Sequence, residues 1–339
     1  SLRSLELQRA QREPIIISDC FCALCDSVVK DLRSGFNSSH CFQRVFLMSF
    51  FPRISQALLS GVICFLLTSC LAGKDQTVRG VLHGEIVWQG DVLIAEDVVL
   101  ESDVKLTILP GTRVRFLPAE ADGGGWIEHP HFPGNELIIK GQVHAVGTAE
   151  NPISFEAVDS SATAGFWGAI NLVGSPEAIF EYCVFRQADS AVHSWDSQVY
   201  IEQSLFEDNL VGIRFNASEI LIEHNLLRNN HTAVRFHLGS PVICENEFAD
   251  NAVNLFVTSH PRDYHIENNT FGSPLEYNVV FGEEVPEDVS LLRNYWIKET
   301  PSTLVDSFYD GHRSPYLGKV VFEPQRTTPS SQAGLSWIP

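Results

Sequence analysis

Three potential cations occupy one repeated position in the second half of the chain. His193, Arg214 and Arg235 each follow an apolar residue, and successive members are 21 residues apart. Stacked like charges repel one another, so a ligand or neighbouring groups of opposite charge must offset the repulsion within such a column. Arginine binds carboxylates and sulfates bidentately. With Trp195 close by, the column predicts a binding strip for an anionic polysaccharide that lies along the protein.

A second column offers a purely structural explanation. Glu181, Glu202 and Glu223 recur at another position, again at intervals of 21 residues. If these carboxylates neutralise the cations from an adjacent face, the arginine column needs no ligand. The sequence leaves both interpretations open.

The segment "WIEHPHFPG" (126–134) contains residues that could instead form a metal site. A His-x-His pair with a carboxylate can supply three ligands, here Glu128, His129 and His131. The competing interpretation is a loop that packs over neighbouring strands, with Trp126 and Phe132 as lids. We predict no cofactor, and these three residues are the candidates if that prediction is wrong.

The elements that position these residues repeat with the same period. Apolar anchors recur with steps of 21, 21, 21 and 23 at Phe185, Phe206, Leu227, Phe248 and Phe271. Repeats of this length indicate a solenoid. Two short β-like runs per repeat, separated by Asn and Gly, indicate coils of parallel strands. We therefore predict an all-β chain that forms a right-handed parallel β-helix with a cap at each end.

Polar residues stand two positions before each anchor, at Cys183, Ser204, Asn225, Asn246 and Asn269. Equivalent residues of successive coils stack at about 4.8 Å. An inward asparagine can then bond to the copy above and to turn backbone, which avoids the cost of an unpaired buried amide. The spacing predicts a buried corner ladder.

The beginning and end of the repeat region resemble a known family. The stretches "GDVLIAEDVVLESDVKLTILPGTRVRF" (90–116) and "ELIIKGQVHAVGTAENPISF" (136–155) are similar to the opening of bacterial β-helix proteins of the pectin-lyase-like superfamily. The closing "NYW…DSFYDGHRSPYLGKVVFEP" is similar to their ending, although Ile297 stands where a glycine is usual. The resemblance covers nearly all of 80–324 and implies the fold. It implies little about function, because members include lyases, hydrolases and proteins without known activity.

Enzymes of this superfamily need groups that this chain lacks. The polygalacturonase branch uses an Asp-Asp pair, a Gly-His-Gly and an Arg-x-Lys, and none of these occurs here. Lyases need a basic residue as proton abstractor, yet no lysine lies between Lys140 and Lys298. No catalytic residues are predicted. A carbohydrate-active enzyme, either a polysaccharide lyase or a glycoside hydrolase, stays as the alternative to a non-enzymatic protein.

The amino-terminal segment up to Cys70 has the pattern of a targeting sequence. The only methionine, Met48, begins an apolar stretch that ends in Leu-Thr-Ser-Cys at Cys70. This pattern is typical of a secretory signal and resembles the bacterial lipobox, whose cysteine is lipidated. We interpret 1–47 as upstream translated sequence, 48–69 as a lipoprotein signal peptide and 70–82 as a tether. The β-helix and its cap then span 83–324, and 325–339 form a loose tail.

The net charge argues against a nucleic-acid partner, and the cysteine positions argue against a disulfide. Past Cys70 the chain has 16 Lys and Arg against 37 Asp and Glu, a balance of −21. Such a surface repels phosphate backbones, so a nucleic-acid partner is not expected. Cys183 and Cys244 lie three coils apart, about 14 Å, and are predicted to be free thiols.

The expected protein is an outer-membrane lipoprotein with a membrane lipid anchor and a binding or structural role toward a glycan or envelope polymer.

Overall fold

The structure is a computed structural model that describes residues 76–119, 132–297 and 300–338. The predictions for 1–47, 48–69 and Cys70 therefore fall outside the described residues. So do the predictions for Glu128, His129 and His131. In the described part, no helix is both long enough and apolar enough to cross a membrane.

Short strands make up nearly all of the regular structure. In chain order they are β1 (Gln76–Leu82), β2 (Glu85–Trp88), β3 (Asp91–Leu100), β4 (Lys105–Ile108), β5 (Arg113–Phe116), β6 (Leu137–Ile139), β7 (Gln142–Val146), β8 (Ile153–Ala157), β9 (Trp167–Val173), β10 (Ala178–Glu181), β11 (Cys183–Arg186), β12 (Ala188–Trp195), β13 (Gln198–Glu202) and β14 (Leu205–Glu207). They continue with β15 (Val211–Asn216), β16 (Glu219–Glu223), β17 (Leu226–Arg228), β18 (Thr232–His237), β19 (Ser240–Cys244), β20 (Glu247–Ala249), β21 (Val253–Ser259), β22 (His265–Glu267), β23 (Thr270–Phe271), β24 (Tyr277–Glu284), β25 (Val289–Ser290), β26 (Tyr295–Trp296), β27 (Phe308–Tyr309) and β28 (Val320–Val321). One helix, α1 (Pro301–Asp306), lies between β26 and β27.

The strands form three faces of a right-handed parallel β-helix, as predicted. Face 1 contains β2, β4, β7, β10, β13, β16, β19 and β22. Face 2 contains β5, β8, β11, β14, β17, β20, β23 and β26, and face 3 contains β6, β9, β12, β15, β18, β21, β24 and β27. The long strand β3 pairs with β5 at one end and with β6 at the other, so it joins faces 2 and 3.

Strand pairing confirms the repeat register. The anchors Phe185, Phe206, Leu227, Phe248 and Phe271 pair in that order on face 2. All five are fully buried. The rings of Phe185 and Phe206 stack at 4.5 Å between centroids, so like residues pack on like along the axis. Burial of such rings is the main stabilising term of the solenoid.

Residues in the left-handed backbone region turn the chain at the corners. Between faces 1 and 2, at what we call corner A, they are Tyr182, Gln203, His224, Glu245, Asn268 and Arg293. Positive φ is uncommon for residues other than glycine. It is tolerated here because the next residue is buried, and in five of these six turns its side chain donates to the backbone carbonyl two residues before it.

The predicted asparagine ladder is confirmed at corner A. Asn225, Asn246 and Asn269 are fully buried. The Asn225 Nδ2 donates to Asn246 Oδ1 at 3.0 Å, and Asn246 Nδ2 donates to Asn269 Oδ1 at 2.9 Å. The same oxygens also accept the backbone N–H of the preceding coil's residue. Cys183 fills the first slot, and both it and Cys244 are free thiols.

Two expectations about the ends of the helix are corrected. The tether predicted at 70–82 is wrong for 76–82, which form β1 and pair with β3 because their backbone completes the first coil. Residues 325–338 are not loose. They run along corner A, where the Trp337 ring N–H donates to the Gln203 carbonyl at 2.8 Å and Gly334 N–H donates to the Glu245 carbonyl at 2.9 Å. We call 325–338 the C-terminal strap.

Asn246→Leu is expected to lower the free energy of unfolding by about 1–3 kcal/mol, because it strands the Asn225 amide in the core. Urea denaturation of the parent and the variant measures this. The control is the exposed Glu219→Gln, expected to cost under about 0.5 kcal/mol. Equal losses in the two variants would show that the assigned register is wrong.

A charged ladder on face 2 gives a pH-dependent test. Arg186, Glu207 and Arg228 pair in register, and Glu207 contacts the two guanidinium groups at 3.0 Å and 2.6 Å. Burial alone would raise the pKa of Glu207, but hydrogen bonds from both arginines outweigh it and the pKa is lowered.

A lowered folded pKa stabilises the protein above the ordinary glutamate pKa of about 4.3 and loses that contribution as the pH falls further. Glu207→Gln is therefore expected to destabilise the protein at pH 7, with a loss that shrinks as the pH falls below about 4. Urea midpoints across pH 3–7 measure the difference. A loss that stays constant with pH would contradict the assigned ion pairs.

Candidate functional site

The predicted cation column lies on face 3. His193 pairs with Arg214, Arg214 with Arg235, and Arg235 with Phe256 in adjacent strands. Their neighbours Val192, Ile213, Val234 and Leu255 are fully buried. Because side chains alternate along a strand, the column points away from the core.

The column lines a groove made of two pockets of about 660 Å³ and about 680 Å³ that share Arg214 and Arg235. We call it the face 3 groove. On one side it is lined by His193, Trp195, Phe215, Asn216, Phe236, His237, Thr258, Gly282, Glu283 and Glu284. On the other side it is lined by Asp189, Leu210, Val211, His231, Thr232, Val253, Phe256, Glu276, Tyr277, Val280 and Tyr309.

Neither groove arginine has an ion pair or hydrogen bond to a described residue. Each instead stacks on an aromatic ring. The Arg214 guanidinium lies 5.2 Å from the centroid of the Phe132 ring, and that of Arg235 lies 4.9 Å from the centroid of Phe256. Such stacking holds a guanidinium in place while its N–H groups stay available.

The electrostatic environment leaves these cations poorly compensated. Burial lowers the pKa of Arg214, the charge of Arg235 lowers it further, and the carboxylate of Asp189 opposes both effects. By contrast, Arg186 and Arg228 on face 2 both pair with Glu207. An anion bound between Arg214 and Arg235 would relieve their mutual repulsion.

The glutamate column is present, but on a different face. Glu181, Glu202 and Glu223 pair in register on face 1, whereas Arg214 and Arg235 lie on face 3. No ion pair joins Arg214 or Arg235 to these glutamates in the described part of the chain. Neutralisation by these glutamates therefore does not explain the arginine column.

His193 differs from the two arginines in its exposure. Its position points away from the core, yet only 3% of its surface is exposed. The Phe132 ring covers it, with 5.0 Å between ring centroids, as the lid interpretation of that segment anticipated. Its Nδ1 lies 2.8 Å from Asn171 Oδ1, and Asn171 Nδ2 donates to the buried Glu136 at 2.9 Å. His193 thus closes one end of the groove and anchors it to neighbouring coils.

Aromatic side chains extend the site beyond the residues predicted from sequence. Trp195 is 46% exposed and Tyr309 is 41% exposed. The rings of Tyr277 and Tyr309 meet edge to face at 5.9 Å, and Arg313 lies over Tyr277. Exposed rings beside cations form a surface on which a sugar ring can stack while its acidic group binds arginine.

A carboxyl group also faces the groove. Burial raises the pKa of Asp189, and this effect outweighs the hydrogen bond from Ser190 and the charge of Arg214. Asp189 and Glu276 can accept hydrogen bonds from ligand hydroxyl groups.

Some of these residues had a signal in the sequence. Phe256 stands 21 residues after Arg235 and continues the column. Phe256 pairs with Val280, and Val280 pairs with Tyr309, so Tyr309 also belongs to the column. Its spacing departs from 21 residues, so the repeat does not predict it. The metal site at Glu128, His129 and His131 stays a prediction. Among the residues described, one group could hold a metal ion, namely Glu202, Glu223 and His224 at corner A.

A family comparison agrees with this architecture. The family model described as "Right handed beta helix region" matches residues 140–276, which include most of the face 3 groove. No curated protein and no solved structure matches the chain. The family match and the stacked coils together identify the chain as a parallel β-helix protein.

Proposed function

We propose that this protein binds an extended anionic polysaccharide in the face 3 groove and serves a non-enzymatic binding or structural role. The observation that carries the proposal is the pair Arg214 and Arg235. They are stacked in register and partly buried, without an ion pair to any described residue. The chain past Cys70 is otherwise acidic, with a balance of −21.

The spacing of the column supports a polymeric ligand. Successive coils repeat every ~4.8 Å, close to the rise of one sugar residue in an extended chain. A polymer that runs parallel to the helix axis can therefore meet equivalent protein positions with successive sugars. Arg214 and Arg235 suit two neighbouring acidic groups, and Trp195 and Tyr309 suit sugar faces beside them.

Charge elsewhere favours this strip over other surfaces. Carboxylates dominate the chain past Cys70 and repel an anionic polymer, so binding energy concentrates where the arginines lie. The same charge disfavours nucleic acid, whose affinity depends on many phosphate contacts to cations.

The proposed location follows from the sequence alone. The Leu-Thr-Ser-Cys at 67–70 supports lipidation of Cys70 and an outer-membrane lipoprotein with a lipid anchor. A glycan-binding solenoid on such an anchor would hold an envelope polymer near the membrane.

Arg214→Ala and Arg235→Ala are each expected to weaken binding of polygalacturonate, alginate or a sulfated glycan about tenfold or more. Loss of a charge-assisted hydrogen bond costs about 1.5–3 kcal/mol. Titration calorimetry at two salt concentrations measures affinity and its salt dependence. Arg262→Ala, an exposed arginine outside the groove, is the matched control and should bind as the parent does.

If the parent binds none of these polymers, or if the groove variants bind them unchanged, the column is structural. Product analysis of the same mixtures tests the alternative. Release of shortened or unsaturated sugars would assign a lyase or hydrolase and overturn the non-enzymatic role.

A second prediction concerns the anchor. Cells that express the parent are expected to incorporate labelled fatty acid into the protein, and Cys70→Ser is expected to abolish the labelling. Mass spectrometry of the mature protein should find no peptide from 1–47. Labelling that persists in Cys70→Ser would contradict the proposed anchor.

A further inference from the structure

Corner A brings together three metal-ligating side chains far from the arginine column. Glu202 and Glu223 end neighbouring strands of face 1 and pair in register, and His224 follows Glu223. One ligand atom from each lies within 4.8 Å of the others. All three side chains are partly buried.

The orientation of His224 is fixed by the C-terminal strap. Its Nδ1 lies 2.9 Å from the backbone carbonyl oxygen of Gln332. A carbonyl oxygen only accepts, so Nδ1 carries the proton and the neutral ring has its lone pair on Nε2. A histidine that donates one ring N–H to a backbone carbonyl and offers the other nitrogen is the usual arrangement of a metal ligand.

Two further polar side chains lie at corner A beside the cluster. The Cys244 thiol donates to Glu223 Oε1, with 3.5 Å between Sγ and Oε1. In the next position of corner A, Glu245 Oε2 is inaccessible to solvent and has no hydrogen-bond partner in the described part of the chain. A buried carboxylate oxygen without a partner is costly. A nearby divalent cation would offset that cost.

The geometry points to a binding site for a divalent transition-metal ion of the zinc class at Glu202, Glu223 and His224 Nε2. An imidazole ligand favours zinc over calcium or magnesium, which prefer oxygen ligands alone. The ion would tie two coils together, and the strap would hold His224 in its binding orientation. This site is independent of glycan binding in the face 3 groove.

Zinc alone tests the site. The full-length chain is titrated with Zn²⁺ against a chromophoric chelator. Cysteines upstream of the β-helix are present in the parent and in every variant, so the readout is the difference in bound zinc equivalents between the parent and each variant. His224→Gln is expected to bind one equivalent less than the parent, and Glu223→Gln at least tenfold more weakly at that equivalent. His265→Gln, an exposed histidine on the same face, is the matched control and should bind as the parent does.

Two further readouts separate a built site from surface binding. Zinc is expected to raise the melting temperature of the parent and of His265→Gln but not that of His224→Gln. Co²⁺ is expected to give a visible absorption band in the parent that His224→Gln reduces. Equal equivalents in the parent and His224→Gln, or the same loss in His265→Gln, would overturn the proposal.

Discussion

The stacking of identical positions from coil to coil is the constraint on which the rest of the structure depends. Parallel strands repeat at about 4.8 Å, so a residue that suits one coil must also suit contact with its own counterpart. Aromatic rings and buried asparagines satisfy this rule well, because rings stack and an amide can both donate and accept. The ladder of Asn225, Asn246 and Asn269 shows how a polar core column becomes stabilising when every copy is bonded.

Because equivalent positions stack, a column of like charges that lacks a partner indicates a functional site. Stacked charges cannot satisfy one another, so each requires opposite charge from elsewhere. Arg186 and Arg228 receive it from Glu207, which stands between them in register. Arg214 and Arg235 have no such partner in the described residues and lie instead in a groove with exposed aromatic rings. The glutamate column at corner A is the acidic counterpart, with His224 and Cys244 beside it.

Much of the fold was accessible from sequence because periodicity reports contacts between coils directly. The 21-residue step of Phe185 and Phe206 fixed their pairing, and the ladder at Asn225 and Asn246 followed from it. Features that depend on segments without the repeat were less accessible. The position of Phe132 over His193, which removes that histidine from solvent, comes from a segment outside the periodic coils. The repeat gives no sign of the strap at 325–338, because the strap adds no coil and binds mainly through backbone groups and Trp337.

We propose above all that the face 3 groove binds neighbouring acidic sugars through Arg214 and Arg235. The most direct test is a crystal structure of the protein soaked with an oligogalacturonate. We expect sugar density parallel to the helix axis, with carboxylate oxygens about 2.7–2.9 Å from both guanidinium groups and a ring against Trp195 or Tyr309. Density on another face, or an empty groove at a concentration that saturates binding in solution, would contradict glycan binding in the groove.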